Sequence, residues 1–220
     1  MLDAPLAGLC ITVTSAVALS DADASSPHFV DVAAEAGLLK PHTGGSEEKH
    51  YIVEAKGGGA AFLDFDGDGD LDIYWVDGAT LEVPHGGGNV LYRNDGSAGF
   101  TDVTTAMGVG GSGWGMGVVS ADFDNDGDPE LYVTNLRENL LYRNDADRFV
   151  DVTASSGTAV PAWSTGSAVA DYDHDGDLDL YVANYLEFDP ADIPALGAQW
   201  KGLDVFIGPK GLPAAQDVFL

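Results

Sequence analysis

The chain has 220 residues, with 36 acidic and only 9 basic ones, which gives a formal net charge of −27 at pH 7. This balance argues against nucleic acid or an anionic membrane as the partner, because both are bound through a surplus of Lys and Arg. A hydrophobic content of 45%, spread in runs between the acids, excludes an acidic disordered tail and predicts a folded chain with a sizeable core.

The N-terminal segment has the composition of a secretion signal. An apolar run without Lys or Arg covers residues 5–19, and residues 22–24 offer a small-x-small cleavage site. The stretch before the run contains an acid and no base, which is unusual for a signal, so a buried strand is the alternative. We predict a signal peptide at residues 1–24, a secreted, extracellular or periplasmic location, and a mature chain (25–220) that does not insert into a membrane. The single cysteine, Cys10, lies in this signal, so no disulfide is expected downstream.

Three Asp-rich segments of one design follow along the chain. They read DFDGDGDLD at residues 64–72 (loop 1), DFDNDGDPE at 122–130 (loop 2) and DYDHDGDLD at 171–179 (loop 3). Each has acids at positions 1, 3, 5, 7 and 9 and glycine at position 6. Carboxylates about 4 Å apart repel each other by a few kcal/mol near a protein surface, whereas Ca²⁺ takes about 6–8 oxygen ligands from such loops. The sequence therefore predicts about three calcium ions, one in each loop.

The predicted metal ligands are the acidic residues of these loops. Positions 1, 3 and 5 are expected to give side-chain oxygens, position 7 its backbone carbonyl, and position 9 a carboxylate that can bind through both oxygens. The position-7 side chains should then point outward, and glycine at position 6 should supply the positive φ of a tight turn. The set is Asp64, Asp66, Asp68, Asp70, Asp72, Asp122, Asp124, Asp126, Asp128, Glu130, Asp171, Asp173, Asp175, Asp177 and Asp179.

Other interpretations of these loops are less favourable. An EF-hand needs a Glu at position 12 and flanking helices, but position 12 is Trp75, Val133 or Val182 and the flanks alternate as strands do. Mg²⁺ is expected to bind less well, because it demands six-fold geometry and keeps its waters. His174, at the alternating position of loop 3, is predicted to face solvent and not to be a ligand.

The text around the loops repeats as well, about every 50 residues. A strand of small residues precedes each loop, with a glycine (Gly59, Gly117 and Gly166) five positions before it. An apolar strand follows, and then come LYRND, a tight turn and an F-x-D-V segment, of which an earlier copy starts at Phe29. This period predicts an all-β chain of four-stranded β-propeller blades, about three in number, with the small residues on the innermost strand and aromatic wedges between blades. The period is too long for a β-helix and the repeat too regular for most sandwiches.

These motifs resemble FG-GAP/VCBS repeats of the integrin-α-type propeller. The longer segments GGGAAFLDFDGDGDLDIYWVDG, WSTGSAVADYDHDGDLDLYVANYLEFDP and GPKGLPAAQDVFL are similar, more closely, to proteins related to cartilage acidic protein, which commonly end in an ASPIC/UnbV domain. The resemblance implies a secreted propeller of about seven blades with calcium in its loops, a role in adhesion or extracellular interaction, and no established catalysis. Against that pattern this chain is expected to be an N-terminal piece, truncated at its C-terminus. Relatives often have cysteines in the connection at residues 186–216, and this chain has none.

Three functional hypotheses follow from the sequence. The leading one is a secreted, non-catalytic calcium-binding propeller that contacts an extracellular protein or glycan; its long connection at 186–216 is either a binding loop or a plain crossover. The alternative is a calcium-dependent polysaccharide-binding or lyase propeller, with Trp200 available to stack on a sugar ring. No G-x-S-x-G or H-E-x-x-H motif is present, so we predict no enzyme. The basic groups available to a lyase are Lys40, Lys49, Lys56, His42, His50 and His85. In the third hypothesis, the blades complete a ring by oligomerising.

Overall fold

The structure, a computed structural model, describes residues 27–193 and 195–220. The predicted signal peptide and Cys10 lie outside these described residues. The chain divides into two units, Met1–Val32 and Ala33–Leu220, and the described part of the first, residues 27–32, has no regular secondary structure. Within the described residues, no helix is long and apolar enough to cross a membrane.

The second unit is built mainly from short antiparallel strands. They are β1 (Gly59–Leu63), β2 (Asp72–Val76), β3 (Val90–Asn94), β4 (Phe100–Asp102), β5 (Trp114–Ala121), β6 (Glu130–Glu138), β7 (Leu140–Asn144), β8 (Phe149–Asp151), β9 (Pro161–Ala170), β10 (Asp179–Asn184), β11 (Ala198–Trp200), β12 (Leu203–Val205) and β13 (Val218–Phe219). The helices are single turns: α1 (Thr104–Met107), α2 (Thr153–Ser156) and two 3-10 helices at Ile52–Ala55 and Gly96–Ala98.

The predicted all-β propeller blades are confirmed. Strands β1 to β4 pair in sequence order as blade 1, β5 to β8 form blade 2 in the same order, and β9, β10 and β13 form the three described strands of blade 3. The repeat alone suggests that each blade is a separate sheet, but blades 2 and 3 form one continuous sheet. The far end of β6 pairs with the start of β9, with Leu136 opposite Trp163, because β6 runs beyond the residues that pair with β7.

The small residues predicted for the innermost strands lie where neighbouring blades approach most closely. A Cβ on Gly59 would lie 2.8 Å from the Cα atom of Gly117 in the next blade. A Cβ on Gly117 would in turn lie 3.3 Å from the Thr165 carbonyl oxygen and 3.8 Å from the Cα atom of Gly166. The first distance is shorter than any real side chain tolerates, so glycine at this repeat position is required by the approach of β1 to β5.

Aromatic side chains fill the wedge between blades 1 and 2, as predicted. Tyr74 on β2 is fully buried, and Phe65 in loop 1 packs against Phe149 on β8 with ring centroids 6.2 Å apart. Both belong to one buried cluster that includes Val76 and Leu131. Burial of such aromatic side chains is a major source of stability in a folded chain.

The repeated asparagine before each L-Y-R-N-D segment is a buried hydrogen-bonding hub. In blade 2, Asn139 donates from Nδ2 to the hydroxyl of Tyr132 at 2.9 Å and accepts the backbone N–H of Asn135 at 2.8 Å. In blade 1, Asn89 donates in the same way to the Tyr74 hydroxyl at 3.0 Å. These bonds satisfy polar groups that would otherwise be costly to bury. The repeated asparagine therefore has a structural role.

The long connection between β10 and β13 covers one end of the blades. It contains the β11–β12 hairpin, and an isolated bridge joins Leu186 to Ala214. Leu186 and Phe188 pack with the buried Trp163, and the Trp163 and Phe188 rings meet edge to face at 5.5 Å. The connection is therefore packed at its start, while Trp200 on its hairpin stays exposed.

Candidate metal centres in the three loops

Each loop brings three carboxylates together. Positions 1, 3 and 9 each offer one oxygen, and the three oxygens of a loop all lie within 4.8 Å of one another. Position 9 is the first residue of β2, β6 or β10, so the strand fixes one wall of the cluster and the loop folds back to it. The three groups are Asp64, Asp66 and Asp72; Asp122, Asp124 and Glu130; and Asp171, Asp173 and Asp179.

The carboxylate at position 1 organises the turn. In loop 1, Asp64 accepts the backbone N–H groups of Asp68 at 3.1 Å and Gly69 at 3.0 Å through its two oxygens. Loop 2 repeats both bonds at 3.1 Å through Asp122. In loop 3, Asp171 accepts the N–H of Gly176, at 3.3 Å, as its one such bond among the described residues. The loops thus share one backbone turn, which holds the carboxylates close together.

Two positions of each loop have positive φ. Glycine at position 6 does, as predicted, with φ of +89° at Gly69. Position 4 also lies in the left-handed region, where Gly67 (+71°), Asn125 (+60°) and His174 (+64°) stand. Sequence reasoning missed this second turn, although Gly and Asn at the same repeat position are its signal. The His174 side chain is exposed, which agrees with the prediction that it faces solvent.

Position 5 is placed differently from positions 1, 3 and 9. The Asp68 carboxylate accepts the backbone N–H of Asp70 at 2.8 Å, and Asp126 and Asp175 make the same bond to Asp128 and Asp177 in their loops. These position-5 and position-7 residues do not belong to the three-carboxylate groups found among the described residues. Their ligation, predicted from the sequence, stays a prediction.

The carboxylate at position 9 is buried in loops 1 and 2, partly buried in loop 3, and connects the loop to its blade. Asp72 accepts the N–H groups of Phe65 at 3.0 Å and Asn94 at 2.8 Å. Glu130 accepts the equivalent groups of Phe123 at 2.8 Å and Asn144 at 3.2 Å. The side chains of the two asparagines in turn accept the backbone N–H groups of Gly96 and Ala146, each at 3.0 Å, so the asparagine of the L-Y-R-N-D segment forms the turn whose backbone supports the position-9 carboxylate.

The position-9 carboxylates of loops 1 and 2 lie in an unfavourable electrostatic environment. Burial, followed by repulsion from Asp66 and Asp68, raises the pKa of the Asp72 carboxyl. Burial, with repulsion from Asp124 and Asp126, likewise raises the pKa of Glu130. Both shifts arise although two backbone N–H groups on each carboxylate act in the opposite direction. A divalent cation would relieve both the desolvation and the repulsion.

Loop 3 contains a buried oxygen that lacks a partner. Asp171 Oδ1 is buried and has no hydrogen-bond partner among the described residues. An unpaired, buried carboxylate oxygen is costly, and it belongs to a position that offers a ligand to the cluster. The donor set is entirely carboxylate oxygen, the type of ligand that hard cations such as Ca²⁺ prefer. The residues present therefore fit a calcium ion.

Two buried carboxylates outside the loops were missed by the sequence reasoning. Asp77, after β2, accepts the backbone N–H of Thr43 at 2.7 Å and lies 3.8 Å from Lys40 Nζ and 3.4 Å from His42 Nδ1. Asn135 occupies the same repeat position in blade 2, and a polar residue at this position in both blades is the sequence signal that could have identified Asp77. These contacts attach the segment before blade 1 to the blade and occupy two of the basic groups considered for a lyase.

Glu54 is the second missed carboxylate. Its Oε1 accepts the backbone N–H of Ser46 at 3.0 Å, and its Oε2 accepts those of His50 at 2.7 Å and Tyr51 at 2.9 Å. Burial raises the pKa of this carboxyl, but the hydrogen bonds from Ser46, Tyr51 and His50 outweigh burial, so the pKa is lowered overall. The bonds make Glu54 an anchor for residues 46–51.

Two of the other basic groups considered for a lyase have local contacts, and two are exposed. Lys49 Nζ donates to the carbonyl of Gly44, and His50 Nε2 lies 2.9 Å from the Glu48 carboxylate. Lys56 and His85 are exposed.

Comparison with protein families identifies the repeats. A family model described as FG-GAP-like repeat matches residues 64–133 and again 124–182, together more than half of the chain. The chain belongs to the FG-GAP-like repeat family. The first match begins at Asp64, the first residue of loop 1, and the two matches together contain all three loops. A search of curated proteins found no match. The FG-GAP assignment agrees with the propeller blades and indicates a protein-interaction domain.

Proposed function

We propose that this FG-GAP protein is a secreted, calcium-binding and non-catalytic β-propeller that mediates extracellular protein interaction or adhesion. We also propose that it is related to cartilage acidic protein, because its longer motifs resemble those of proteins in that group. Three carboxylate clusters of one geometry support the calcium part of the proposal. The family match supports the interaction part, because FG-GAP repeats are typical of propeller-type interaction domains.

The observation that carries the calcium assignment is the convergence of three carboxylate oxygens within 4.8 Å in every loop. Residues at positions 1, 3 and 9 would hold the ion. Position 5 would complete the coordination shell with a side-chain oxygen and position 7 with its backbone carbonyl, while the position-7 side chain points outward. Bound Ca²⁺ supplies positive charge and no redox chemistry. Its effect is to neutralise the repulsion among carboxylates and to join the loop to the start of the following strand, so we expect it to stabilise the blades.

Calcium stoichiometry in matched variants tests this assignment. We expect the purified chain to bind three Ca²⁺ by isothermal titration calorimetry, and Asp66→Asn to lower the number by one. Asp70→Asn removes the same charge from the same loop, at a position whose side chain is predicted to point outward, so it should leave the number unchanged. An unchanged number in Asp66→Asn, with Asp70→Asn behaving identically, would refute the ligand assignment.

The absence of catalysis is part of the proposal. The basic groups a lyase would use contact different parts of the described chain: Lys40 and His42 meet at Asp77, whereas His50 faces Glu48. Turnover of an acidic polysaccharide in calcium-containing buffer, abolished by His50→Ala, would contradict it.

One observation favours glycan binding as a second candidate. Trp200 on the β11–β12 hairpin is 58% exposed, and the Lys201 ammonium lies 4.5 Å from the centroid of its ring. A partly exposed indole with an ammonium group over its ring combines an aromatic surface with a positive charge, which suits an acidic sugar. Trp200→Ala should abolish binding to uronic-acid oligosaccharides if the hairpin is the glycan site, while Leu203→Ala on the same hairpin serves as the control. Equal binding by both variants would leave protein interaction as the function of this face.

A further inference from the structure

A groove crosses the end of the blades that is remote from the Asp-rich loops. Two cavities of about 710 and 540 Å³ adjoin there and share Leu136, Arg137 and Phe188 as a common wall. The buried Trp163 lines the first cavity and the buried Trp114 lines the second. Trp114 pairs with Leu136 at the ends of β5 and β6 that point away from loop 2. The walls come from all three blades and from the connection after β10.

Arg137 is the residue of this groove that departs from the repeat. When the blades are aligned on the Asp-rich loops, its position is occupied by Ala79 in blade 1 and by Leu186 in blade 3. Both of these residues are buried in the apolar cluster that contains Trp114 and Trp163. Arg137 is instead exposed, and its φ of +97° is strained for a residue other than glycine. A strained residue of this kind often marks a functional site.

The charge of Arg137 is not used within the part of the chain that the structure describes. Arg93 and Arg143 form hydrogen-bonded ion pairs with Asp95 and Asp145, at 2.8 and 2.7 Å. The Arg137 guanidinium makes no hydrogen bond or ion pair with a described residue, although the chain contains 36 acidic residues. A guanidinium is a planar, permanently charged donor that binds carboxylates through two parallel bonds. Arg137 therefore offers a carboxylate-binding group at the wall between the two cavities.

The second cavity has the side chains that a carboxylate needs. Arg137 and the imidazole of His85 line it, together with a single acidic residue, Glu138. The Ser112 hydroxyl is a further hydrogen-bond donor on its wall, and Trp114 supplies an aromatic surface. Apolar walls reduce the hydration of a bound charge and so strengthen its attraction to the guanidinium. This cavity therefore suits one acidic group that is attached to an apolar body.

The first cavity has the opposite balance of charge. Glu187, Asp189 and Asp192 line it together with Arg137. The three carboxylates would repel a second acidic group on the ligand, but they can accept hydrogen bonds from main-chain N–H groups. Leu212 and other aliphatic side chains form much of the remaining wall. The first cavity therefore suits an apolar side chain on a polypeptide, and suits a hydroxyl-rich sugar ring less well.

We propose that this groove binds an extended peptide segment of a partner protein, with one acidic side chain in the second cavity and an apolar side chain in the first. Arg137 donates hydrogen bonds to the carboxylate, and Trp163 and Phe188 contact the apolar side chain. Two adjoining cavities with a shared wall suit a linear ligand of this kind. The inference rests on the proposed interaction function and names a surface for it, but it does not depend on the proposed calcium sites.

Heteronuclear NMR of the tryptophan indole N–H signals tests the proposal, because the chain has only 4 tryptophans. The probe is the end-blocked tripeptide leucyl-leucyl-glutamate, titrated into the purified chain in millimolar Ca²⁺. The signals of Trp114 and Trp163 should shift, whereas those of Trp75 and Trp200, which do not line the groove, should stay in place. The uncharged leucyl-leucyl-glutamine peptide should bind about tenfold more weakly. A glutamyl-leucyl-glutamate peptide should also bind more weakly, since its second acid meets the carboxylates of the first cavity.

Arg137→Gly separates binding from folding. Glycine adopts a φ of +97° without strain, so thermal melts should show no fall in melting temperature, while the affinity for leucyl-leucyl-glutamate falls about tenfold or more. Lys201→Gly is the matched control, because it removes another exposed basic residue of positive φ (+49°) that does not line either cavity. This control should bind the peptide as the unaltered chain does. If Arg137→Gly melts at a lower temperature, Arg137→Gln replaces it.

Three results would overturn the proposal. The first is that the Trp114 and Trp163 signals do not move in millimolar leucyl-leucyl-glutamate. The second is that Arg137→Gly, or Arg137→Gln in its place, binds the peptide as tightly as Lys201→Gly. The third is that leucyl-leucyl-glutamine or leucyl-leucyl-lysine binds at least as tightly as leucyl-leucyl-glutamate, because the acidic residues would then determine what the groove accepts. Such results leave the calcium stoichiometry unaffected and assign the proposed interaction function to another surface, so failure of this inference is distinguishable from failure of the proposed function.

Discussion

Blades 2 and 3 have similar amino-acid sequences in the Asp-rich loop and the strand after it, but these residues lie in different environments. Tyr132 on β6 is fully buried and bonded to Asn139, whereas Tyr181, at the same position of β10, is 42% exposed and bonded to the exposed Asp217. Glu130 accepts two backbone N–H groups, whereas Asp179 accepts a single one from the described residues, that of Tyr172. The comparison shows that the same residue at the same repeat position can be buried or exposed. Its burial and its hydrogen-bond partners depend on the strand or blade that packs next to it.

The largest expected effect is that of calcium removal, which acts on all three loops. A ligand that binds only the folded state stabilises it by about 2.7 kcal/mol per site at one hundred times its Kd. We expect the melting temperature to fall markedly in excess EDTA and to recover on adding Ca²⁺. Mg²⁺ at equal concentration should recover less of it. Identical melts in EDTA and Ca²⁺ would show that the clusters contribute nothing to stability.

Truncation of the two equivalent tyrosines tests the comparison of the blades directly. Tyr132→Ala removes a fully buried ring and one of the two hydrogen bonds that Asn139 Nδ2 donates, the other going to Ser164 Oγ, so urea unfolding should show a loss of about 3–5 kcal/mol. Tyr181→Ala removes a half-exposed ring and should cost clearly less. Equal losses would mean that both tyrosines are equally buried in solution, as they would be if another blade covered blade 3.

Glu54 provides a pH-dependent prediction outside the metal loops. Glu54→Gln replaces charge-assisted bonds to three backbone N–H groups and should cost about 2 kcal/mol at neutral pH. Because the folded-state pKa of Glu54 is lowered, its contribution is complete above the unfolded pKa and is lost as pH falls through the folded one.

The difference in unfolding free energy between the unaltered chain and Glu54→Gln should therefore shrink with acidification below the ordinary range of a Glu carboxyl. A difference that is constant with pH would show that Glu54 stabilises the fold through packing alone.

The smallest effect is expected from the turn asparagines. Asn144→Ala removes a buried bond to the carbonyl of Phe65 and should cost about 1–2 kcal/mol in urea unfolding. Asn94→Ala removes a partly exposed bond within its own blade and should cost less. The reverse order would contradict the assignment of Asn144 to the blade interface.

The sequence was sufficient to predict the blades, the order of their strands and the location of the loops. The apolar runs of β2 and β6, the Asp spacing and the repeated glycine are local signals that any correct fold must satisfy. The positive φ at Gly69 followed from the same reasoning. These features depend on neighbours in the chain, which the sequence displays.

Only the tertiary structure decided which carboxylates converge and which residues are buried. Positions 1, 3 and 9 meet because the strand that starts at position 9 folds back on the loop, whereas position 5 is drawn into a backbone turn. The roles of Asp77 and Glu54 depend on segments that pack against them from outside the repeat. Spacing in the chain does not determine such distances, because they are set by packing between elements far apart in sequence.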